Sequence, residues 1–138
     1  MSTIDASSGL GCASSVRVRY AETDQMGVAY HGNYFAWFEI GRTDLLRRQG
    51  VSYKELEAQD LHLPVIEAQA RFVRPALYDD VLEIRTQVTA VSGARVTFAY
   101  EVRRGGDLVL ATGSTSHAAV DGRGRARRLP ELLRRLLA

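Results

Sequence analysis

The sequence predicts an α+β fold in which a five-stranded antiparallel sheet wraps around one long helix, with a short helix at the C-terminus. Three observations predict it. One helical segment is apolar around most of its circumference, five segments alternate apolar and polar residues, and glycine-containing hairpin turns join the last three strands. A single sheet leaves its second face and two edges uncovered, so we expect an oligomer that pairs sheets.

Length and composition limit the class of protein. The chain has 138 residues, of which 46% are apolar and 25% charged, and its formal net charge is +2. One cysteine, Cys12, excludes an internal disulfide, and no apolar run approaches the roughly 18 residues of a membrane span. The first residues lack the basic and apolar regions of a secretory signal. We therefore expect one soluble, cytoplasmic domain.

The N-terminal residues 1–15 are rich in serine, glycine and alanine, and we expect them to form a flexible tail. Order is predicted to begin at Val16, so the single domain spans residues 16–138. In the first strand, Val16, Val18 and Tyr20 alternate with two arginines, which is the pattern of a half-buried strand.

The long helix is predicted over about residues 33–49 and is ended by Gly50. The apolar residues of its first half are Tyr34, Phe35, Trp37, Phe38 and Ile40. A helix that is apolar on most sides is normally buried. Gly41 lowers helix stability and indicates that another segment approaches closely there. A shorter helix is predicted over residues 52–59, with Ser52 as its N-cap.

Four further strands follow the helices. They are predicted over residues 62–74, 80–91, 95–104 and 108–120. The hairpin signals are Ser92-Gly93 and Gly105-Gly106-Asp107. Pro130 then opens a short helix that carries a leucine stripe.

The segment between the first strand and the long helix carries the candidate chemistry. Asp24 lies beyond the strand in a loop that is flexible at Gly27, and His31 lies at the start of the helix. Free N–H groups at a helix start can hold negative charge that develops on an oxygen. A carboxylate facing them suits acyl transfer, as base or as nucleophile. Taken alone, the same residue types also suit a turn aspartate and a capping histidine.

The stretch YAETDQMGVAYHGNYFAWFE resembles the signature of the 4-hydroxybenzoyl-CoA thioesterase family of hotdog-fold proteins. It is most similar to the branch of acyl-CoA thioester hydrolases that includes the Tol-Pal-associated enzymes. The resemblance extends from about Val16 to Leu129 and includes RTDLLRRQG and ARFVRPALYDDVLEI. It implies a sheet wrapped around a central helix, at least a homodimer with a homotetramer left open, and hydrolysis of acyl-CoA without a cofactor.

The resemblance assigns roles to particular residues. It makes Asp24 the catalytic carboxylate, which either attacks the thioester or activates water. The N–H of His31 would polarise the carbonyl oxygen, while the His31 side chain and Tyr20 match a tyrosine–aspartate–histidine set of the Tol-Pal-associated branch. Tyr30 and Asn33 belong to the same motif and are predicted to contact the substrate. The branch that cleaves 4-hydroxybenzoyl-CoA tends to carry tyrosine at the position of His31, which disfavours that substrate.

Other candidate residues lie outside the motif. Coenzyme A carries phosphates, which arginine can contact in bidentate fashion. Arg71 and Arg74 at the end of the second strand and Arg95 beside a hairpin are the candidate ligands. A different hotdog branch places a catalytic glutamate on the helix. Glu39 would be that residue here, but with Asp24 present we interpret it as structural.

Several partners and functions are disfavoured or stay open. The C-terminal arginines have no interleaved aromatic residues, so no nucleic acid partner is predicted. No residues have metal-ligand spacing, so no metal is predicted. Two alternatives to hydrolysis remain: a hotdog hydratase that acts on enoyl or 3-hydroxyacyl thioesters, and a non-catalytic module that binds acyl-CoA.

Overall fold

The computed structural model describes residues 11–137. Its strands are β1 (Gly11–Arg17), β2 (Val65–Phe72), β3 (Val81–Val91), β4 (Arg95–Arg104) and β5 (Leu108–Ala118). They form one antiparallel sheet in the order β1-β3-β4-β5-β2. The four strands after the helices were predicted to be joined largely as a meander; this holds for β3, β4 and β5, whereas β2 lies at the edge beside β5 and not beside β3.

The helices match their predicted positions closely. They are α1 (Asn33–Arg48), α2 (Tyr53–Ala58) and α3 (Glu131–Leu137), with one 3-10 turn at Tyr20–Glu22. The hydroxyl of Ser52 accepts the Glu55 N–H at 3.2 Å, which confirms the predicted N-cap of α2. Helix α1 packs on β1 and β3 and only slightly on β4, so it covers one half of the inner face of the sheet.

The core lies between α1 and the central strands. One face of β3 and β4 is buried as their periodicity predicts: Leu82, Ile84, Thr86 and Val88 on β3, and Val96, Phe98, Tyr100 and Val102 on β4. On the opposite face of β4, Glu101 and Arg103 are buried as well and form an ion pair, which the alternation did not predict. The ring of Phe38 stacks on Tyr100 with centroids 4.3 Å apart. Large rings therefore fill the space between helix and sheet and fix the height of α1 above β4.

Gly41 lets α1 approach the sheet. A Cβ atom at this position would lie 2.1 Å from the Thr86 Oγ1 and 3.2 Å from the Ile84 Cγ2. The close approach predicted from the sequence is confirmed, and side chains of β3 occupy the space.

The boundary of the N-terminal tail was predicted wrongly. Strand β1 already includes Gly11, and Cys12 and Ser14 are buried, so residues 11–15 belong to the sheet. Small side chains suit this strand because it faces α1 near Gly41, whose carbonyl oxygen lies 3.5 Å from the Cys12 Sγ. Residues 1–10 lie outside the described residues. The strand ends at Arg17 rather than continuing to Tyr20.

The expectation that α1 is buried on most sides was also wrong for one side. Phe35 and Ile40 are 37% and 40% exposed, because α1 packs mainly on β1 and β3 and leaves these side chains uncovered. Edge strand β2 is shorter than predicted, and its Ile66 and Phe72 are each 48% exposed. The apolar alternation of β2 therefore marks a face that this protomer leaves open.

A chain of hydrogen bonds crosses the buried part of β4 and β5. The Tyr100 hydroxyl lies 2.6 Å from the Thr115 Oγ1, which lies 2.8 Å from the His117 Nε2. The His117 Nδ1 lies 2.9 Å from the Leu63 carbonyl oxygen. Because a carbonyl only accepts, Nδ1 carries the proton of the neutral ring and Nε2 accepts from Thr115. Burial lowers the pKa of His117 below its ordinary value.

Acidification is expected to destabilise the protein through His117. In the unfolded chain its imidazole titrates near 6.5, whereas the folded protein keeps the ring neutral to lower pH. Below about pH 6.5 the unfolded state binds more protons, so the free energy of unfolding falls by up to about 1.4 kcal/mol per pH unit. Urea denaturation at several pH values measures this, with His117→Gln as the variant that lacks the titration. Parallel pH profiles for both proteins would contradict the assignment.

Candidate functional site

An open cleft of about 350 Å³ lies where the loop before α1 meets the end of β2. Asp24 and His31 both line it, together with Tyr34 of α1 and Phe72 and Arg74 at the end of β2. The Phe72 ring contacts Tyr34 edge to face, with centroids 4.9 Å apart, and forms the apolar wall. The cleft therefore combines a carboxylate, an imidazole, a guanidinium and an apolar surface.

Asp24 forms a turn and still presents a free oxygen. Its Oδ1 accepts the N–H of Met26 at 2.9 Å and that of Val28 at 3.4 Å. Gly27, with φ +80°, closes the turn and donates its N–H to the Asp24 carbonyl oxygen at 3.0 Å. Within residues 11–137, no donor binds the other carboxylate oxygen, Oδ2. The turn role and the role in the cleft are thus compatible, since they use different oxygens.

Unpaired main-chain donors lie at the start of α1. Gly32 is the N-cap, the Asn33 N–H donates to Tyr30 O at 3.0 Å, and the Tyr34 N–H donates to His31 O at 3.2 Å. No main-chain carbonyl of the described residues accepts from the N–H of His31 or Gly32. These two amides stand at the positive end of the helix dipole, which favours an oxygen that gains negative charge.

Buried Glu22 anchors both ends of the loop. Its Oε1 accepts the Arg19 N–H at 2.8 Å, and its Oε2 accepts the Trp37 Nε1–H at 3.2 Å. Its carbonyl oxygen accepts the Tyr30 N–H at 2.8 Å and the Asn33 Nδ2–H at 2.7 Å. Sequence analysis missed this residue. The only local signal is its position three residues after Arg19, which many surface glutamates share.

Glu22→Ala is expected to lower the free energy of unfolding by about 2 kcal/mol, because the buried indole N–H of Trp37 loses its acceptor. Glu22→Gln keeps an acceptor oxygen and should lose less than half as much. Urea denaturation of the two variants checks this. Equal losses would show that the acceptor is not what stabilises the loop.

The other residues of the motif lie at different distances from the cleft. Tyr30 is exposed, and its ring lies against that of His31 with centroids 4.3 Å apart. The amide nitrogen of Asn33 is engaged by Glu22, so its role within this protomer is to hold the loop. Tyr20 is 77% exposed, packs on Tyr78 and does not line the cleft. The structure brings Asp24 and His31 together, adds Tyr30 through His31, and leaves Tyr20 outside.

The candidate phosphate ligands separate into two groups. Arg74 lines the cleft, whereas Arg71, which pairs with Thr112, lies on the face of β2 opposite to Phe72 and lines a different pocket. Arg95 pairs with Ala118 at the opposite end of the sheet. That point lies eight residues along β5 from Leu110, whose carbonyl accepts the Arg74 N–H, or roughly 26 Å at about 3.3 Å per residue. Of these three candidates, Arg74 therefore lines the cleft of its own protomer.

The remaining sequence candidates lie elsewhere. Glu39 lines a separate groove on the side of α1 that faces β2. In the described part of the chain no helix is long and apolar enough to cross a bilayer. Nor do three or more His, Cys, Asp or Glu side chains of residues 11–137 cluster as metal ligands would.

Comparison with known proteins identifies the family to which this chain is similar. Residues 26–111 match the family described as the Thioesterase superfamily. The acyl-CoA thioesterase YbgC of Haemophilus influenzae is 35% identical over 112 residues, which cover 80% of this chain and 82% of the relative.

Two solved structures share the fold. The DHNA-CoA thioesterase of Staphylococcus aureus is 32% identical with a TM-score of 0.83, covering 86% of this chain and 80% of that one. A hypothetical protein of Thermus thermophilus is 38% identical with a TM-score of 0.86, covering 92% and 95% of the two chains. The fold is therefore shared with a named thioesterase and with a second protein of similar sequence.

Proposed function

The chain belongs to the thioesterase superfamily, and from that premise we propose that it hydrolyses acyl-CoA thioesters to a carboxylic acid and coenzyme A. The family, the hotdog fold and the enzyme class are the ones that the resemblance in the sequence implied. The observation that carries the proposal is the cleft itself. It is lined by Asp24, whose Oδ2 is free, and by His31, which with Gly32 supplies unpaired amides.

The two sides of the cleft would act on different atoms of the thioester. The thioester carbonyl oxygen would accept the N–H groups of His31 and Gly32, which stabilise the negative charge that develops on it. Asp24 Oδ2 would face the carbonyl carbon. In one route it takes a proton from water, whose oxygen adds to the carbon. The C–S bond then breaks, and the proton passes to the departing sulfur.

In the second route Asp24 Oδ2 itself adds to the carbonyl carbon and expels the thiolate. Water then opens the resulting anhydride and restores the carboxylate, and the proton that this water releases passes to the thiolate. Both routes yield one carboxylic acid and one thiol, and both need Asp24 ionised. The His31 ring, which lies beside this position, would orient substrate or water in either route.

The coenzyme A part of the bound substrate would extend out of the cleft past the end of β2. Arg74 lines the cleft, so its guanidinium group can bind the phosphates, whereas Arg71 lies on the other face of β2. Arg95 lies too far away to act on the same ligand within one protomer. Its predicted role, and that of Tyr20, would need a second copy of the chain.

We propose that the functional unit is at least a homodimer joined at β2. Edge strand β2 exposes Val65, Ile66 and Phe72, and the adjacent side of α1 exposes Phe35 and Ile40. An uncovered apolar edge strand promotes association, and a two-fold dimer would cover it. Light scattering should give twice the chain mass, and Ile66→Lys should shift the protein toward the monomer. A monomeric wild type at micromolar concentration would contradict the dimer.

A panel of aliphatic and aromatic acyl-CoAs tests the activity, with thiol release followed by a colorimetric reagent. We expect turnover of at least one class. Binding of acyl-CoA without thiol release would support a binding module instead. Loss of the enoyl-CoA absorbance without thiol release would support a hydratase.

A further inference from the structure

A second groove, of about 330 Å³, lies between α1 and the inner face of β2. Its lining includes Phe35, Glu39 and Arg42 from α1, Val65 and Ala68 from β2, and Thr115 from β5. The groove is mostly apolar along its walls, but Arg42 and Thr115 place polar atoms in it. The mechanism proposed above does not use it.

The groove lies in line with the cleft. On β2 the cleft is lined by Phe72 and the groove by Ala68, four residues earlier on the same face. The cleft is lined by His31 just before α1 and by Tyr34 on it, and the groove continues along α1 with Phe35 and Arg42. The cleft and the groove therefore follow one line between α1 and the edge strand β2, which we call the seam. About 15 Å of helix separates the oxyanion donors at residue 32 from residue 42.

Arg42 keeps one guanidinium nitrogen without a hydrogen-bond partner. Its Nε is buried and unpaired, whereas the hydroxyl groups of Tyr53 and Tyr100 bond to the guanidinium. No Asp or Glu within residues 11–137 forms an ion pair with Arg42. Burial opposes its charge, but the oxygens of Tyr100 and Tyr53 outweigh this and raise the pKa of Arg42. A charged guanidinium that lines a groove and has one donor left over is a binding position for an oxygen acceptor.

We propose that Arg42 is a specificity-determining residue that binds a hydroxyl oxygen at the far end of the acyl group. The inference rests on the proposed function, since it requires the thioester to lie at Asp24. The acyl chain would run from the cleft along the apolar seam past Phe35 and present its terminal oxygen to the guanidinium.

The surroundings favour a hydroxyl over a carboxylate. Glu39 lines the same groove and, among the described residues, has no cationic partner, so it would repel a second carboxylate. The span also favours a medium-length chain over a single aromatic ring. Because helical side chains lean toward the N-terminus, Arg42 reaches back and shortens the span below about 15 Å.

The experiment compares acyl-CoAs of equal length with and without a terminal hydroxyl, over chains of about 6 to 12 carbons. At the matching length, wild type should favour the hydroxylated substrate in kcat/KM by about ten- to a hundredfold, the range expected for a hydrogen bond to a charged group. Arg42→Met should abolish this preference and leave the plain substrate within about threefold of wild type. Arg47→Met, on the exposed side of the same helix, is the matched control and should keep the preference.

The outcomes distinguish a failure of the proposed function from a failure of the inference about Arg42. Absence of thiol release from every acyl-CoA would defeat the proposed function and with it this inference. Hydrolysis with no hydroxyl preference at any length, or a stronger preference for a terminal carboxylate, would overturn the inference alone. If Arg42→Met folds but loses activity on the plain and the hydroxylated substrate equally, this also overturns the inference. Loss of the dimer in folded Arg42→Met would overturn it too. Should Arg42→Met fail to fold, Arg42→Lys decides: a reduced preference supports the role, and an unchanged one overturns it.

Discussion

Asp24→Asn is expected to lower kcat/KM for acyl-CoA by about 10²- to 10⁴-fold, the range for loss of a positioned base. The amide cannot take a proton from water or attack the carbonyl. The fold should persist, because the side-chain oxygen of asparagine can still accept the N–H groups of Met26 and Val28. Steady-state thiol release, compared with thermal unfolding of the same samples, measures both properties.

Asp79→Asn is the matched control for this prediction. Asp79 is also an exposed loop aspartate, bonded to Arg17, and it does not line the cleft. Its φ of +68° is one that asparagine tolerates well. Turnover by Asp79→Asn should equal that of wild type. Full turnover by Asp24→Asn would remove Asp24 from the mechanism.

Gly113→Ala is expected to lower the free energy of unfolding by about 3 kcal/mol, at the upper end for overpacking. A Cβ atom on β5 at this position would lie 2.5 Å from two ring carbons of Phe38 and 2.8 Å from the Gln69 carbonyl oxygen. Neither neighbour can move easily. The Phe38 ring is stacked on Tyr100, and Gln69 belongs to the backbone of β2.

Urea denaturation measures this loss, and a second variant identifies its cause. Phe38→Leu removes the ring carbons in the way, so adding Gly113→Ala to Phe38→Leu should cost clearly less than adding it to wild type. A change below about 0.5 kcal/mol for Gly113→Ala, as for ordinary surface substitutions, would contradict the packing described here.

The elements that the sequence predicted well are those whose own side chains meet the core. The alternation of Val96, Phe98 and Tyr100 gave β4 its correct core face, because these side chains are buried and Tyr100 stacks on Phe38 of α1. The end of α1 was recoverable because Gly50 adopts a left-handed φ of +82° just beyond it. Local pattern and tertiary environment agree at these positions.

Other elements depend on contacts that periodicity does not encode. The burial of Cys12 and Ser14 arises because Gly41 lets α1 come close to β1, so a small polar sequence resembled a tail. The alternation in β2 was read correctly as a strand, but its place at the sheet edge depends on pairing with β5. Long-range pairing sets both outcomes.

The candidate site was also predicted only in part from the sequence. The motif predicted that Asp24 and His31 belong together, and both line one cleft. It did not indicate Glu22, whose bonds to Trp37 and Asn33 hold the loop, because those contacts form only after α1 docks. Tyr20 lies outside the cleft because β1 ends early and a 3-10 turn follows it.

Infrared spectroscopy of a carbonyl-labelled acyl-CoA bound to Asp24→Asn tests the central claim most directly. The claim is that the thioester carbonyl accepts the amides of His31 and Gly32 beside residue 24. Hydrogen bonds from these amides weaken the C=O bond, so its band should move to lower frequency on binding than in water. A bound substrate whose carbonyl band stays at its frequency in water would contradict the account.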